Sequence, residues 1–128
     1  MMETPSKGSR AGRIVLWVLS ALLAALYLAA GGSKLAGAQQ HVEHFAKWGY
    51  PDWFRLLVGA LEVAAGIALL IPRAAIVASA TLAVVMAGAV YTHVRHDEAA
   101  QAMVPAVLLI LLALVGYLRR RQTRSVPR

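Results

Sequence analysis

The chain has 128 residues, of which 59% are apolar and only 15% charged, with no cysteine and a formal net charge of +7. That balance excludes an ordinary water-soluble domain and points to a membrane protein forming one compact unit. The missing cysteines exclude thiolate metal sites, disulfide exchange and a cysteine nucleophile within the chain. The basic excess sits at the flanks of apolar segments, which is the pattern of topology signals, so nucleic acid is not an expected partner.

Residues 1–12 are polar, with Pro5, Gly8 and Gly12, and read as a disordered tail. The first apolar stretch, from about Ile14 to Leu35, is too long for the core of a cleavable signal peptide and has no clear cleavage pattern. Its length suits a membrane span, for which about 20 apolar residues are needed. A polar segment from Ala38 to Asp52 follows, in which His41, His44 and Phe45 are spaced for a short helix lying on the membrane. Pro51 ends any helix before the second span, Trp53 to Ile71. Only Pro72 and Arg73 separate that span from the third, Ala74 to Val94, so the two are expected to form a tight antiparallel hairpin. The polar step His96-Asp97-Glu98 leads to the fourth span, Met103 to Leu118, with Pro105 expected in its first turn.

The pattern predicts an all-α fold, an integral membrane bundle of four transmembrane helices over residues 13–118, followed by a basic tail over 119–128. Nine of the 13 basic residues, Lys7, Arg10, Arg13, Arg73 and the C-terminal Arg119, Arg120, Arg121, Arg124 and Arg128, fall on the side holding both termini. That bias places the termini in the cytoplasm. Trp48, Tyr50 and Trp53 then cluster at the outer boundary like an aromatic belt.

Ionisable residues inside spans carry the functional signal, because a charge near the bilayer centre costs at least about 2.5 kcal/mol and is kept for a reason. Glu62 falls near the middle of the second span. It reads as a proton-handling or ligand-orienting carboxylate, or as a buried acid that ties the bundle together through a cation. Lys34, at the outer end of the first span, is the natural partner, unless it extends to the outer surface. Arg55, Gly59, Glu62 and Gly66 share one helix face, a stripe of charge and small residues that lets a helix or a ligand come close. His93 sits near the outer end of the third span with Met86 on its face. Lys34, Arg55, Glu62 and His93 are therefore the expected ligand-binding or proton-handling pocket, with Tyr27, Gly59, Gly66, Met86 and Tyr91 as lining. The four histidines pair off at His41/His44 and His93/His96 without a carboxylate or cysteine at firm spacing, and no metal site is expected.

Gly31-Gly32-Ser33-Lys34-Leu35, then Phe45-Ala46-Lys47-Trp48-Gly49-Tyr50-Pro51, then Gly59-Ala60-Leu61-Glu62 with Pro72, and finally Met86-Ala87 and Tyr91-Thr92-His93, resemble the DoxX-like family of four-span bacterial membrane proteins. The resemblance runs from about Val15 to Leu118. That family takes its name from a membrane subunit of an archaeal thiosulfate:quinone oxidoreductase, and other members are linked to membrane redox complexes. It implies residence in the bacterial cytoplasmic (inner) membrane and a role as an accessory or quinone-interacting subunit of an oxidoreductase system. No intrinsic cofactor is expected; the candidate ligand is a quinone or another lipophilic small molecule, and the candidate partners are the lipid bilayer, a membrane redox protein or a second copy. A small proton-coupled transporter and a non-catalytic assembly protein are the alternative readings, and whether the chain is an enzyme stays open.

Overall fold

The computed structural model describes residues 7–125, with side chains from 10 to 122. Among these residues five helices follow one another: α1 (Lys7–Leu35), α2 (Gln39–Lys47), α3 (Asp52–Ala68), α4 (Ala75–Arg95) and α5 (Ala99–Ser125). No strand occurs among the described residues. The two closest pairings are α1 with α3 and α4 with α5; α3 packs on α4, α1 touches α5, and α2 caps the end where α1 stops and α3 starts.

The helix boundaries follow local chemistry. Gly37 and Gly49 take positive φ (76° and 83°), so each reverses the chain without the steric cost that a side chain would add. Pro51 precedes α3 in an extended conformation, as a proline ahead of a helix should. Asp97 (φ 59°) turns the chain sharply between α4 and α5, a conformation that Asp tolerates better than most residues. As expected, α2 is a short helix and α3 and α4 are joined by a tight turn, Leu69 to Ala74.

Three differences from the sequence expectation stand out. Helix α1 starts at Lys7, so residues 7–12 are helical, while 1–6 lie outside the described residues. Helix α5 begins at Ala99 and runs through the arginines to Ser125; Pro105 therefore lies inside the helix, beyond its first turn. Third, among the described residues three helices are long and apolar enough to cross a membrane, over Arg10–Leu35, Ala75–Arg95 and Ala99–Gln122. Helix α3 has 17 residues, a rise of about 26 Å against a hydrocarbon core of about 30 Å, and it includes Asp52, Arg55 and Glu62.

The core runs along the bundle axis through Leu16, Leu23, Tyr27, Leu69, Leu82, Met86, Leu112 and Val115. The outer faces are equally apolar: Leu22, Val84, Val104 and Ile110 are each at least 64% exposed. Water would penalise so continuous an apolar surface, whereas a bilayer matches it.

Helices α1 and α3 cross in backbone contact. A Cβ on Gly31 would lie 2.6 Å from the carbonyl oxygen of Gly59 and 2.8 Å from a Val63 methyl, and a Cβ on Gly59 would lie 3.0 Å from the Gly31 carbonyl oxygen. Farther along, Gly66 receives Tyr27, whose Cβ would be 3.2 Å from an added methyl. No larger residue fits at this crossing, and dispersion contact replaces the side chains that glycine lacks. Gly31→Ala is therefore expected to cost about 1–3 kcal/mol by overpacking, read as a lower melting temperature in detergent. Gly32→Ala, one residue away in open space, should be neutral or stabilising by up to about 1 kcal/mol.

Candidate functional site

The glycine crossing brings two side chains of opposite charge together. Lys34, one turn beyond Gly31, donates from Nζ to Oε1 of Glu62 at 2.8 Å. The carboxylate is 3% exposed and the ammonium 13%, so what access there is comes from the lysine side. Beyond them on α3, Arg55 is buried and its Nη1 donates to the carbonyl oxygen of Lys34. That bond caps the C-terminal end of α1, where free carbonyls and the helix dipole favour a cation. The acid nearest Arg55 is Asp52 at 3.9 Å, and it is largely exposed to solvent. On the other side of the pair, the Tyr27 residue is buried and its hydroxyl has no hydrogen-bond partner among the described residues.

Of the residues expected to form the pocket, the side chains of Lys34 and Glu62 pair, and Arg55 reaches Lys34 only at its backbone carbonyl oxygen. His93 does not join them. It sits at the end of α4 and donates from Nδ1 to Oε1 of Glu98 at 2.8 Å. Of the expected lining, Tyr27 flanks the pair, while Gly59 and Gly66 are filled by α1 rather than left open. Met86 belongs to the apolar core. Tyr91 points outward and is 60% exposed, because it is two residues from His93 and so lies on another face of α4.

A cap built on α2 closes the end of the bundle next to Lys34. Ser33 commits its hydroxyl hydrogen to the carbonyl oxygen of Ala30 (3.0 Å), so His41 Nε2 is the donor in its 2.9 Å contact with Ser33 Oγ. Phe45 lies within ring-contact distance of Trp48, Tyr50 and Phe54. Tyr50 Oη meets Thr92 Oγ1 at 2.7 Å; since the threonine donates to the Gly88 carbonyl oxygen (2.8 Å), the tyrosine is the donor. Glu98 fastens the far side. It accepts from Lys47 Nζ (2.7 Å), Trp48 Nε1 (3.1 Å) and His93, so one carboxylate joins the cap to both α4 and the start of α5.

Sequence reasoning missed Glu98, Trp48 Nε1, Ser33 and the Tyr50–Thr92 pair as site components. Glu98 was out of reach because five residues separate it from His93, and only the left-handed turn at Asp97 folds it back, with its amide bonding the His93 carbonyl oxygen at 2.8 Å. The four histidines do not gather. His41 bonds Ser33, His93 bonds Glu98 and His96 bonds the Thr92 carbonyl oxygen, and among the described residues no group of three His, Cys, Asp or Glu could hold a metal.

Two groups of the cap titrate away from their ordinary values. The hydrogen bonds from Lys47, His93 and Trp48 hold the Glu98 carboxyl down at about 2. Burial, followed by the charges of Lys34, His44 and Arg55, pushes the His41 imidazole below its usual 6.5. The two act in separate windows. A depressed carboxyl contributes stability that is present above its unfolded value, about 4.3, and is lost as pH falls through about 2. A depressed imidazole leaves the folded state unpenalised above 6.5 and weakens it as pH falls below that. The protection factors of the α2 amides, corrected for the intrinsic pH dependence of exchange, should therefore begin to fall below about pH 6.5, and His41→Gln should remove that step. Glu98→Gln should quicken α2 exchange roughly tenfold at neutral pH, leaving the α1–α3 crossing protected.

The model of the DoxX-like family matches residues 18–115. The uncharacterized protein YdgD of Bacillus subtilis (strain 168) is 33% identical over 104 residues, covering 74% of this chain and 91% of the relative. No solved structure matches. The chain belongs to the DoxX-like family, and with its long apolar helices it is a membrane protein.

Proposed function

We propose that this DoxX-like protein is a four-span subunit of a bacterial inner-membrane oxidoreductase system, in which Lys34 and Glu62 bind a lipophilic ligand such as a quinone and handle its protons. The carrying observation is the buried 2.8 Å Lys34–Glu62 pair, with Tyr27, whose hydroxyl has no partner among the described residues, packed one turn farther along α3 at Gly66. Counting α3 as the fourth span rests on its packing. It runs antiparallel to α1, with Gly59 against Gly31 and Gly66 against Ala24 and Tyr27, so it occupies the same depth as a helix that spans. Its apolar run also continues through Leu69, Leu70 and Ile71 into the turn. The arginines at the ends of α1 and α5 favour cytoplasmic termini.

The donor set suits a quinone. Such a ligand supplies two carbonyl oxygens and takes up two electrons and two protons on reduction, the electrons coming from a redox partner in the membrane. Lys34 Nζ is a donor for one carbonyl, and the Tyr27 hydroxyl has its hydrogen uncommitted. Glu62 pairs with Lys34 when ionised; when it takes up a proton, the unpaired charge stays on the Lys34 ammonium, the more accessible of the two, so the pair can accept and return one proton. Because Lys34 is the more accessible partner, ligand or water reaches the pair from the capped end or between α1 and its neighbours.

A second reading follows from the glycine crossing: the pair only fastens α1 to α3, and the protein organises other membrane subunits. The two readings separate experimentally. Purified protein analysed by native mass spectrometry, with an organic extract of the same sample, should yield stoichiometric quinone. Glu62→Gln and Lys34→Met should each lose it while the bundle still folds. A bare protein, together with recovery of full stability when both charges are exchanged (Lys34→Glu with Glu62→Lys), would leave only the fastening role.

A further inference from the structure

The end of the bundle where α1 begins and α5 finishes is wholly basic among the described residues. Arg10, Arg13, Arg73, Arg119, Arg120 and Arg121 gather there, while the described acids lie in the cap, at its edge or, as Glu62, within the bundle. On α1, Arg10, Arg13, Ile14, Trp17 and Val18 line a surface groove of about 450 Å³. The guanidinium of Arg119 lies over the Trp17 ring, 4.5 Å from its centroid, which brings a third cation to the same corner. Trp17 is nonetheless 44% exposed, and the apolar strip continues deeper through Val18 and Leu22 on the same face.

Charge at one end and an exposed apolar strip along the helix match the two ends of a phospholipid. Phosphate matches two guanidinium groups one helical turn apart, and an acyl chain matches the strip below them. A zwitterionic lipid would bring its own cation into a corner already rich in them. Free phosphate would leave Trp17, Val18 and Leu22 unused. We propose that this groove binds one anionic phospholipid, with its phosphate on Arg10 and Arg13 and an acyl chain along Trp17, Val18 and Leu22. The inference does not depend on the reading of Lys34 and Glu62.

The test uses the full chain, stripped of lipid in mild detergent and offered equal amounts of phosphatidylglycerol and phosphatidylcholine with identical acyl chains. Native mass spectrometry counts what each molecule retains. The wild-type protein should keep one phosphatidylglycerol in about tenfold preference. The double variant Arg10→Gln/Arg13→Gln should fall to near parity; both side chains are exposed, so the bundle should keep its melting temperature. Arg73→Gln, an exposed position at the same end but outside the groove, should keep the full preference. Parity in the wild type, an unchanged double variant, or an equal loss in Arg73→Gln would each overturn the site, the last by showing diffuse surface charge instead.

Discussion

The backbone contact between Gly31 and Gly59 is the constraint on which the centre of this molecule depends. It brings α1 and α3 closer than any side chain would permit, and only at that spacing do Lys34 and Glu62 meet at 2.8 Å. An ion pair taken out of water pays a desolvation penalty that its mutual attraction repays only with good geometry. Here the close crossing supplies the geometry, and Arg55, bonded to the Lys34 carbonyl oxygen, holds the end of α1 in place. Glycine at one position and charge at another are thus two parts of one arrangement.

A second layer of polar bonds closes the end of the bundle beside the pair. Its centre is Glu98, which gathers donors from α2, from the turn after it and from α4. Aromatic rings around Phe45 fill the space beneath. The contrast with the crossing is instructive. One is dry, built from glycine and backbone; the other is wet, built from long side chains and rings at the boundary where amphipathic groups are stable. The first sets the position of the buried charges, and the second covers the end of the bundle beside them.

Much of this was legible in the sequence. Apolar runs separated by short polar steps gave the long helices and the tight turn at Pro72-Arg73, and the histidine and phenylalanine spacing gave α2. Glu62 and Lys34 stood out because a charge inside an apolar run is costly, and Arg55 followed from the helical period. What escaped depended on dihedrals rather than spacing. Nothing in the order of residues shows that Asp97 adopts a positive φ and folds Glu98 back toward His93, which draws that histidine into the cap instead of the buried pair. The extent of α5 was underestimated because its arginines were read as the end of the helix, though long charged side chains are good helix formers where they reach water.

The depth of the buried pair has an electrical consequence. Glu62 is the eleventh residue of α3 counted from the capped end, about 15 Å along the axis. In the four-span arrangement proposed above, that is about half of a 30 Å hydrocarbon core. A full elementary charge crossing a membrane exchanges about 2.3 kcal/mol per 100 mV, so a proton travelling between the capped end and this carboxylate would exchange roughly half of that. The occupancy of Glu62 by a proton would then follow the membrane voltage as well as the acidity outside, and a titration that does not move with applied potential would place the carboxylate outside the field.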